Sequence, residues 1–447
     1  MIQSKLKFAL ALASFLAAFG SAAAFAGQVR LEVSLDKPTM LADKKQPAFV
    51  KIGLTGFKLE SKDKRAPVNV AIVLDKSGSM QGDKIAKARD AAIAAIGRLG
   101  SDDIAAVVAY DSTVQVIVPA TKLSDKQSVI DKVHQIEAGG STALFAGVSK
   151  GADELRKFLD KNRVNRVILL SDGLANVGPQ SPSELGSLGA SLMKEGISVS
   201  TMGLGLDYNE DLMTKLARNS GGNHVFIEAA DDLVRVFNHE FNDVLSVVAQ
   251  EVTISIRLAD GVRPVRALNA AAEINGQEVI VQMNQLYSEQ EKYLMLEVEV
   301  PATAAGKSRE VAEVRVSYAN LQTKTTDRLT SAVSANFSQS LAEVEAKLNA
   351  HVCACAVLQI SNIRNKLATE LRDKGDIEGA RQVLLENGKY LGENAAKYNV
   401  DLLQTRCADN LDQAKNLSGP EWARYRKAMR EQQITDDQQQ SYGASKP

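Results

Sequence analysis

The chain of 447 residues is poor in the residues that most often carry nucleophilic or zinc-dependent chemistry. It has only four histidines, and none of them stands in an HExxH or other zinc-binding spacing. No Gly-x-Ser-x-Gly elbow, P-loop or supported Ser/His/Asp pattern occurs. The formal net charge is only −1, and Lys and Arg form no extended basic run. The sequence therefore favours neither an enzyme of these classes nor a nucleic-acid partner.

Cysteine is also scarce, and the three cysteines all lie in the C-terminal quarter of the chain. In an oxidising compartment, three cysteines allow one disulfide and leave one thiol over. Cys353 and Cys355 lie two residues apart on a predicted helix and point to different sides of it. We therefore expect Cys407 to pair with one of them and never with both. The same geometry argues against a soft-metal site formed by His351, Cys353 and Cys355.

Long apolar runs are absent except at the N-terminus. Lys5 and Lys7 precede an apolar stretch at 8–19, and Ala24-Phe25-Ala26 has the small-x-small pattern of a cleavage site. These features predict a signal peptide at 1–26 and a periplasmic or secreted protein, the alternative being an uncleaved anchor. No later segment approaches the ~20 apolar residues needed to span a bilayer. We therefore expect no transmembrane segment in the mature chain.

The rest of the chain shows three patterns. Apolar residues alternate with polar ones at 27–66 and again at 250–337, as in half-buried strands, and we expect these segments to form one β-sandwich. Between them, residues 67–249 alternate short apolar runs with helical periods, which predicts an α/β domain with a doubly wound, mostly parallel sheet. Residues 338–430 predict a helical region that breaks near Gly375, and the polar residues 431–447 predict a disordered tail.

Oxygen-bearing side chains stand at three strand ends of the predicted α/β domain. Asp75, Ser77 and Ser79 follow a buried strand at alternate positions, Thr142 precedes a helix, and Asp172 directly follows another strand. In an open α/β sheet the carboxyl ends of the strands form the ligand-binding edge, so these side chains should meet there. Two carboxylates and three hydroxyls select a hard cation, Mg²⁺ before Mn²⁺ or Ca²⁺. Asp111 also lies near this edge, but such a residue more often stabilises a turn.

The spacing D-x-S-x-S, then Thr, then Asp resembles the metal-ion-dependent adhesion site of the von Willebrand factor A family. The five residues match that motif position by position, and the resemblance covers about 68–248. It implies that the hydroxyls ligate the metal directly and that the aspartates do so partly through water. The β-rich flanks resemble, more loosely, bacterial exported proteins and inter-alpha-trypsin-inhibitor heavy chains.

These observations predict an exported binding module in which the metal takes a carboxylate from a partner protein. A metal-stabilised scaffold of the cell envelope is an alternative, and a Mg²⁺-dependent enzyme is another. The enzyme would need a general base beside the metal. The neighbouring loops offer only Lys76, Asp111 and hydroxyls for that role.

Overall fold

A computed structural model describes residues 27–60 and 65–440 of the chain. The predicted signal peptide at 1–26 and the last residues of the predicted tail, 441–447, lie outside the described residues. The N-terminal segment forms three strands: β1 (Arg30–Leu35), β2 (Thr39–Leu41) and β3 (Gln46–Thr55).

The α/β domain follows, and its strands and helices largely alternate. The strands are β4 (Val68–Asp75), β5 (Ile104–Tyr110), β6 (Val114–Lys122), β7 (Val164–Ser171), β8 (Ile197–Leu204) and β9 (His224–Ile227). The helices are α1 (Asp83–Gly97), α2 (Lys126–His134), α3 (Leu144–Arg156), α4 (Pro182–Lys194), α5 (Glu210–Ser220) and α6 (Leu233–Leu245). The sheet order is β6-β5-β4-β7-β8-β9, and only β6 runs antiparallel to its neighbour.

Helices cover both faces of this sheet. The four central strands β4, β5, β7 and β8 are buried along their whole length, as expected for parallel strands enclosed on two sides. The apolar faces of α1, α2 and α6 pack on one side, and those of α3, α4 and α5 pack on the other. The doubly wound, mostly parallel fold predicted from the sequence is confirmed.

The second β-rich segment completes a sandwich with the N-terminal strands. It contains β10 (Val247–Leu258), β11 (Arg263–Ala267), β12 (Glu273–Asn275), β13 (Glu278–Tyr287), β14 (Glu291–Val300), β15 (Ser308–Asn320) and β16 (Thr325–Ser338). One sheet has the order β1-β3-β14-β11, and the other has the order β12-β13-β10-β15-β16-β2. Inward residues of both sheets share one apolar core, so the α/β domain is an insertion in a sandwich, as predicted.

The two ends of the insertion meet at the turn between β13 and β14. The Gly56 amide donates to the carbonyl oxygen of Gln290, at 3.1 Å, and the Ser288 amide donates to that of Ser246, at 2.8 Å. A Cβ atom on Gly56 would lie 2.0 Å from the carbonyl oxygen of Tyr287, which no side chain tolerates. Glycine is therefore required where the chain leaves the sandwich.

Within the described residues, five helices follow the sandwich: α7 (Leu341–Ala346), α8 (Ala350–Asp373), α9 (Ile377–Tyr398), α10 (Asp401–Lys415) and α11 (Trp422–Gln438). Gly375, at φ 91°, separates α8 from α9, and Asp376 caps α9 by accepting from the Gly379 amide. Helix α11 packs back on the inserted domain, where Lys427 Nζ donates to Glu210 Oε2 at 2.6 Å. None of the helices within the described residues is long and apolar enough to cross a membrane.

The prediction of a disordered tail from residue 431 is wrong for 431–440. Helix α11 continues through Gln438, and Gln433 and Ile434 in its last turns are buried. The polar side chains of this segment have buried partners: Asp437 Oδ1 accepts from Asn362 Nδ2 and from Lys366 Nζ, at 2.8 and 2.7 Å. Composition predicted disorder because it cannot show that such residues find partners on another helix.

Candidate metal centre

The first loop of the candidate site follows strand β4. Asp75 ends this fully buried strand, and its Oδ1 accepts from the Ser77 amide at 2.8 Å while its Oδ2 accepts from Ser171 Oγ at 2.7 Å. Burial raises the pKa of Asp75, although hydrogen bonds from Ser77 and Ser171 act in the opposite direction. A short 3-10 turn at Gly78–Met80 then leads towards helix α1.

The second loop lies directly against the first. The Gly139 amide donates to the carbonyl oxygen of Lys76 at 2.6 Å, and the Gly78 amide donates to that of Gly140 at 2.9 Å. Thr142, at the end of this loop, donates its amide to Asn176 Oδ1 at 2.8 Å. Backbone hydrogen bonds therefore fix how the hydroxyl-bearing loops approach one another.

The third loop begins with Asp172, which follows strand β7 and is fully buried. Its Oδ1 accepts from Ser79 Oγ at 2.7 Å, and its Oδ2 accepts from Lys84 Nζ at 2.6 Å. The Lys84 side chain, on the first turn of α1, is 32% exposed. Asp172 therefore joins the first and third loops and faces an ammonium group.

Three hydroxyls converge in front of Gly173. A Cβ atom built on this glycine would lie 3.3 Å from both Ser79 Oγ and Thr142 Oγ1, and 4.0 Å from Ser77 Oγ. The two serine hydroxyls are 3.1 Å apart. The structure thus brings the five sequence-predicted residues together at one sheet edge, with Asp75 behind the hydroxyls and Asp172 beside them.

This donor set fits a hard divalent cation. All its atoms are oxygens, and small hydroxyl and carboxylate donors around a glycine leave space that a side chain would otherwise fill. No group of three or more His, Cys, Asp or Glu side chains able to hold a metal occurs in the part of the chain that the structure describes. A metal at this site would depend on the serine and threonine hydroxyls as well as on its two carboxylates.

Two lysines of the site are not part of the sequence motif. Lys84 contacts Asp172, and Lys76 forms an ion pair with Asp111. Burial would raise the pKa of Asp111, but the hydrogen bonds from Lys76 and Thr113 lower it overall. Asp111 Oδ1 also accepts from the Thr113 amide, so this residue stabilises a turn, as its sequence context suggested. The position of Lys84 in the first turn after the motif is the only sequence signal for its role.

The C-terminal cysteines do not form the expected disulfide. All three are free thiols, and each sulfur has a different neighbour. Cys353 Sγ lies 3.7 Å from the carbonyl oxygen of Asp36, Cys355 Sγ lies 3.9 Å from His351 Nε2, and Cys407 Sγ lies beside Gly392. Burial raises the pKa of Cys355 to about 11, which keeps it a thiol at neutral pH.

Known sequences are similar to this chain in the inserted domain and, for one relative, over most of the chain. Residues 69–239 match the model of the von Willebrand factor type A domain. An uncharacterized protein of Synechocystis is 24% identical over 373 residues, or 81% of this chain and 87% of that protein. Mouse inter alpha-trypsin inhibitor heavy chain 4 is 27% identical over 226 residues, and the match covers 48% of this chain but only 23% of that protein.

Solved structures match beyond the inserted domain. A von Willebrand factor type A protein from Catenulispora acidiphila has a TM-score of 0.66 at 16% identity, over 85% of this chain and 90% of that one. The ArnB paralog VWA2 from Sulfolobus acidocaldarius has a TM-score of 0.61 at 16% identity, over 92% and 98%. The fold they share with this chain therefore includes the sandwich as well as the insertion. Residues 69–239 have the α/β fold of a von Willebrand factor type A domain, inserted in that sandwich.

Proposed function

We propose that the protein binds a partner protein through a divalent cation held by Asp75, Ser77, Ser79, Thr142 and Asp172. The observation that carries the proposal is the convergence of three hydroxyls in front of Gly173, with Asp172 bonded to one of them. von Willebrand factor type A domains often bind a divalent metal and mediate protein interactions. In this chain the cation would supply a Lewis-acid position that accepts an anionic oxygen from the partner.

The proposed cation is Mg²⁺, with Mn²⁺ or Ca²⁺ as substitutes. The oxygen-only donors favour hard cations, and few carboxylates together with neutral hydroxyls suit a cation that retains some of its water. The proposed ligand is an Asp or Glu side chain of the partner, since a carboxylate is the protein group that binds such a cation most strongly.

We propose a binding protein and not an enzyme, because the polar groups that contact this site serve structural roles. Asp75 and Asp172 accept hydrogen bonds from Ser171, Ser79 and Lys84. The nearest further charges, Lys76 and Asp111, neutralise each other in an ion pair. A hydrolytic or transfer reaction would need a base that is free to take a proton, and none of these groups offers one. We also propose export of the protein, which rests on the sequence of the N-terminal segment.

The test is metal binding by isothermal titration calorimetry on the full-length mature protein. We expect Mg²⁺ and Mn²⁺ to bind the wild type, Asp75→Ala to abolish most of this affinity, and Thr142→Ala to weaken it less, since it removes a neutral ligand. Asp90→Asn, on the exposed face of α1, is the matched control and should bind as the wild type does. Circular dichroism should show an intact fold for each variant.

Two results would contradict the proposal. If Asp75→Ala binds the metal with unchanged affinity, these residues do not form the metal site. If the metal raises the melting temperature of the protein but acidic peptides bind equally well without Mg²⁺, the alternative of a metal-stabilised scaffold is favoured instead.

A further inference from the structure

Two large apolar side chains are exposed in the loops beside the candidate metal centre. Leu174 follows Asp172 and Gly173 and is 59% exposed, and Leu206 follows strand β8 and is 45% exposed. The other strongly exposed apolar side chains described in the inserted domain, Phe158 and Leu159, follow α3 and precede β7, at the opposite edge of the sheet. Exposed leucines on loops next to a binding centre indicate a contact surface more than a folding requirement.

The topology places these two loops side by side. Strands β7 and β8 are parallel neighbours, and their register pairs Ser171 with Gly203, so the loops that follow them begin at the same level. Lys84 lies between the loops: its Nζ donates to Asp172 Oδ2, and a Cβ atom on Gly205 would lie 3.9 Å from the same Nζ. Leu174, Lys84 and Leu206 thus surround one side of the metal centre. We call these three residues the rim.

The charges at the centre favour an anionic ligand once a divalent cation is bound. Asp75 and Asp172 carry two negative charges, and Lys84, in contact with Asp172, carries one positive charge. A divalent cation would leave this group with a net positive charge, which attracts a carboxylate. Asp207, which is exposed beside Leu206, would repel a second acidic residue of the bound partner on that side. An apolar residue next to the partner's carboxylate is therefore favoured there.

We propose that the rim recognises a protein segment in which an Asp or Glu side chain stands next to a large apolar residue. The carboxylate would reach the cation and the ammonium group of Lys84, while the apolar side chain would cover Leu174 and Leu206. This specificity rests on the proposed function, because the carboxylate needs the metal. The leucines themselves contribute to partner affinity and do not contribute to metal affinity.

The experiment selects a random heptapeptide phage library on the immobilised full-length protein and elutes with EDTA. We expect the Mg²⁺-dependent clones to be enriched in Asp or Glu next to Leu, Ile, Phe or Met. The double variant Leu174→Ser/Leu206→Ser should keep the enrichment in acidic residues and lose the enrichment in apolar ones. A selected peptide should bind this variant about tenfold or more weakly than the wild type, while Mg²⁺ affinity by calorimetry stays the same.

The matched control is the double variant Phe158→Ser/Leu159→Ser, which removes exposed apolar side chains at the opposite edge of the sheet and should bind the peptide as the wild type does. Enrichment in acidic residues without an apolar neighbour, or equal peptide affinity of the rim variant, would overturn the role of the rim and leave the proposed function standing. An absence of any Mg²⁺-dependent clone would overturn both.

Discussion

Gly173→Ala tests the convergence of hydroxyls with the smallest available change. The added methyl group would lie 3.3 Å from Ser79 Oγ and Thr142 Oγ1, and 4.0 Å from Ser77 Oγ. Magnesium sits about 2.1 Å from its oxygen ligands, so the methyl group would compete with the cation and its water for the space in front of these hydroxyls. We expect Mg²⁺ affinity to fall at least about tenfold, which corresponds to about 1.4 kcal/mol.

The fold should tolerate this substitution. Gly173 does not have a positive φ, so alanine fits its backbone, and the atoms that the methyl group meets are hydroxyls that can rotate away. Crowding of this kind costs about 1 kcal/mol, which lowers the melting temperature of a domain of this size by about 2–4 °C. Calorimetry with Mg²⁺ and thermal unfolding followed by circular dichroism measure the two effects separately.

Gly139→Ala is the matched control. Gly139 belongs to the second loop of the same centre and also lacks a positive φ, but a Cβ atom on it would meet nothing within 4 Å. This variant should bind Mg²⁺ as the wild type does. The reasoning is refuted if Gly173→Ala binds Mg²⁺ with wild-type affinity, if both variants lose affinity equally, or if Gly173→Ala unfolds.

Three further substitutions test charges that the structure places in or beside the inserted domain. Lys84→Gln should raise the Mg²⁺ affinity measured by calorimetry, because Asp172 loses the ammonium group that competes with the cation. The control is Lys87→Gln, whose lysine pairs with Asp231 instead. Glu240→Gln should lower the free energy of unfolding, measured by urea denaturation, by about 3–5 kcal/mol, because it leaves the fully buried Arg166 without its ion-pair partner. The control Glu195→Gln removes the partner of Arg156 in an exposed ion pair and should lower it by less than about 1 kcal/mol. Burial lowers the pKa of Lys292 to about 7. Between pH 7 and 10.4 this lysine is therefore protonated in the unfolded chain but not in the folded protein, so the stability of the wild type rises with pH over this range. Lys292→Met should therefore be more stable than the wild type at pH 6, and its advantage should shrink by up to about 1.4 kcal/mol per pH unit above pH 7; an advantage that does not change with pH would contradict this.

Four of the five residues of the candidate metal centre were predictable from their positions at the ends of buried strands, whereas Thr142 lies in the loop between helices α2 and α3 and follows no strand. Asp75 and Asp172 end or follow strands with continuous apolar sequences, and parallel strands bring their carboxyl ends to one edge. Lys84 was not predictable as a contact of Asp172, because a lysine in the first turn of a helix usually faces solvent. The exposed Leu174 and Leu206 could not be recognised either, since a leucine in a sequence gives no sign of exposure.

The strands that the sequence did not reveal share a physical cause. Strand β6 is an edge strand with mixed burial, and β9 has only four residues, so neither shows a full apolar run. Strand β16 alternates inward and exposed positions, but its inward positions include Ser331 and Ala335 as well as the apolar Leu329, Val333 and Phe337, so its apolar alternation is weak. Periodicity detects a strand only where its inward positions are consistently apolar, and these strands are held by backbone pairing with β5, β8 and β15.

The buried Arg166 shows how the insertion is joined to the sandwich, which no local pattern predicts. It stands on β7, pairs with Glu240 of α6 at 2.5 Å, and donates to Tyr287 Oη of β13 at 2.9 Å. Each residue alone is an ordinary strand or helix residue, and only the fold makes them neighbours across 74 and 121 positions. An arginine without exposure would be unstable here without these partners. Because β7 ends next to Asp172, the same strand that carries a metal-centre aspartate at one end is fixed to the sandwich at the other. The contacts of Arg166 with the sandwich therefore lie near the start of β7, and the loops of the metal centre lie at its other end.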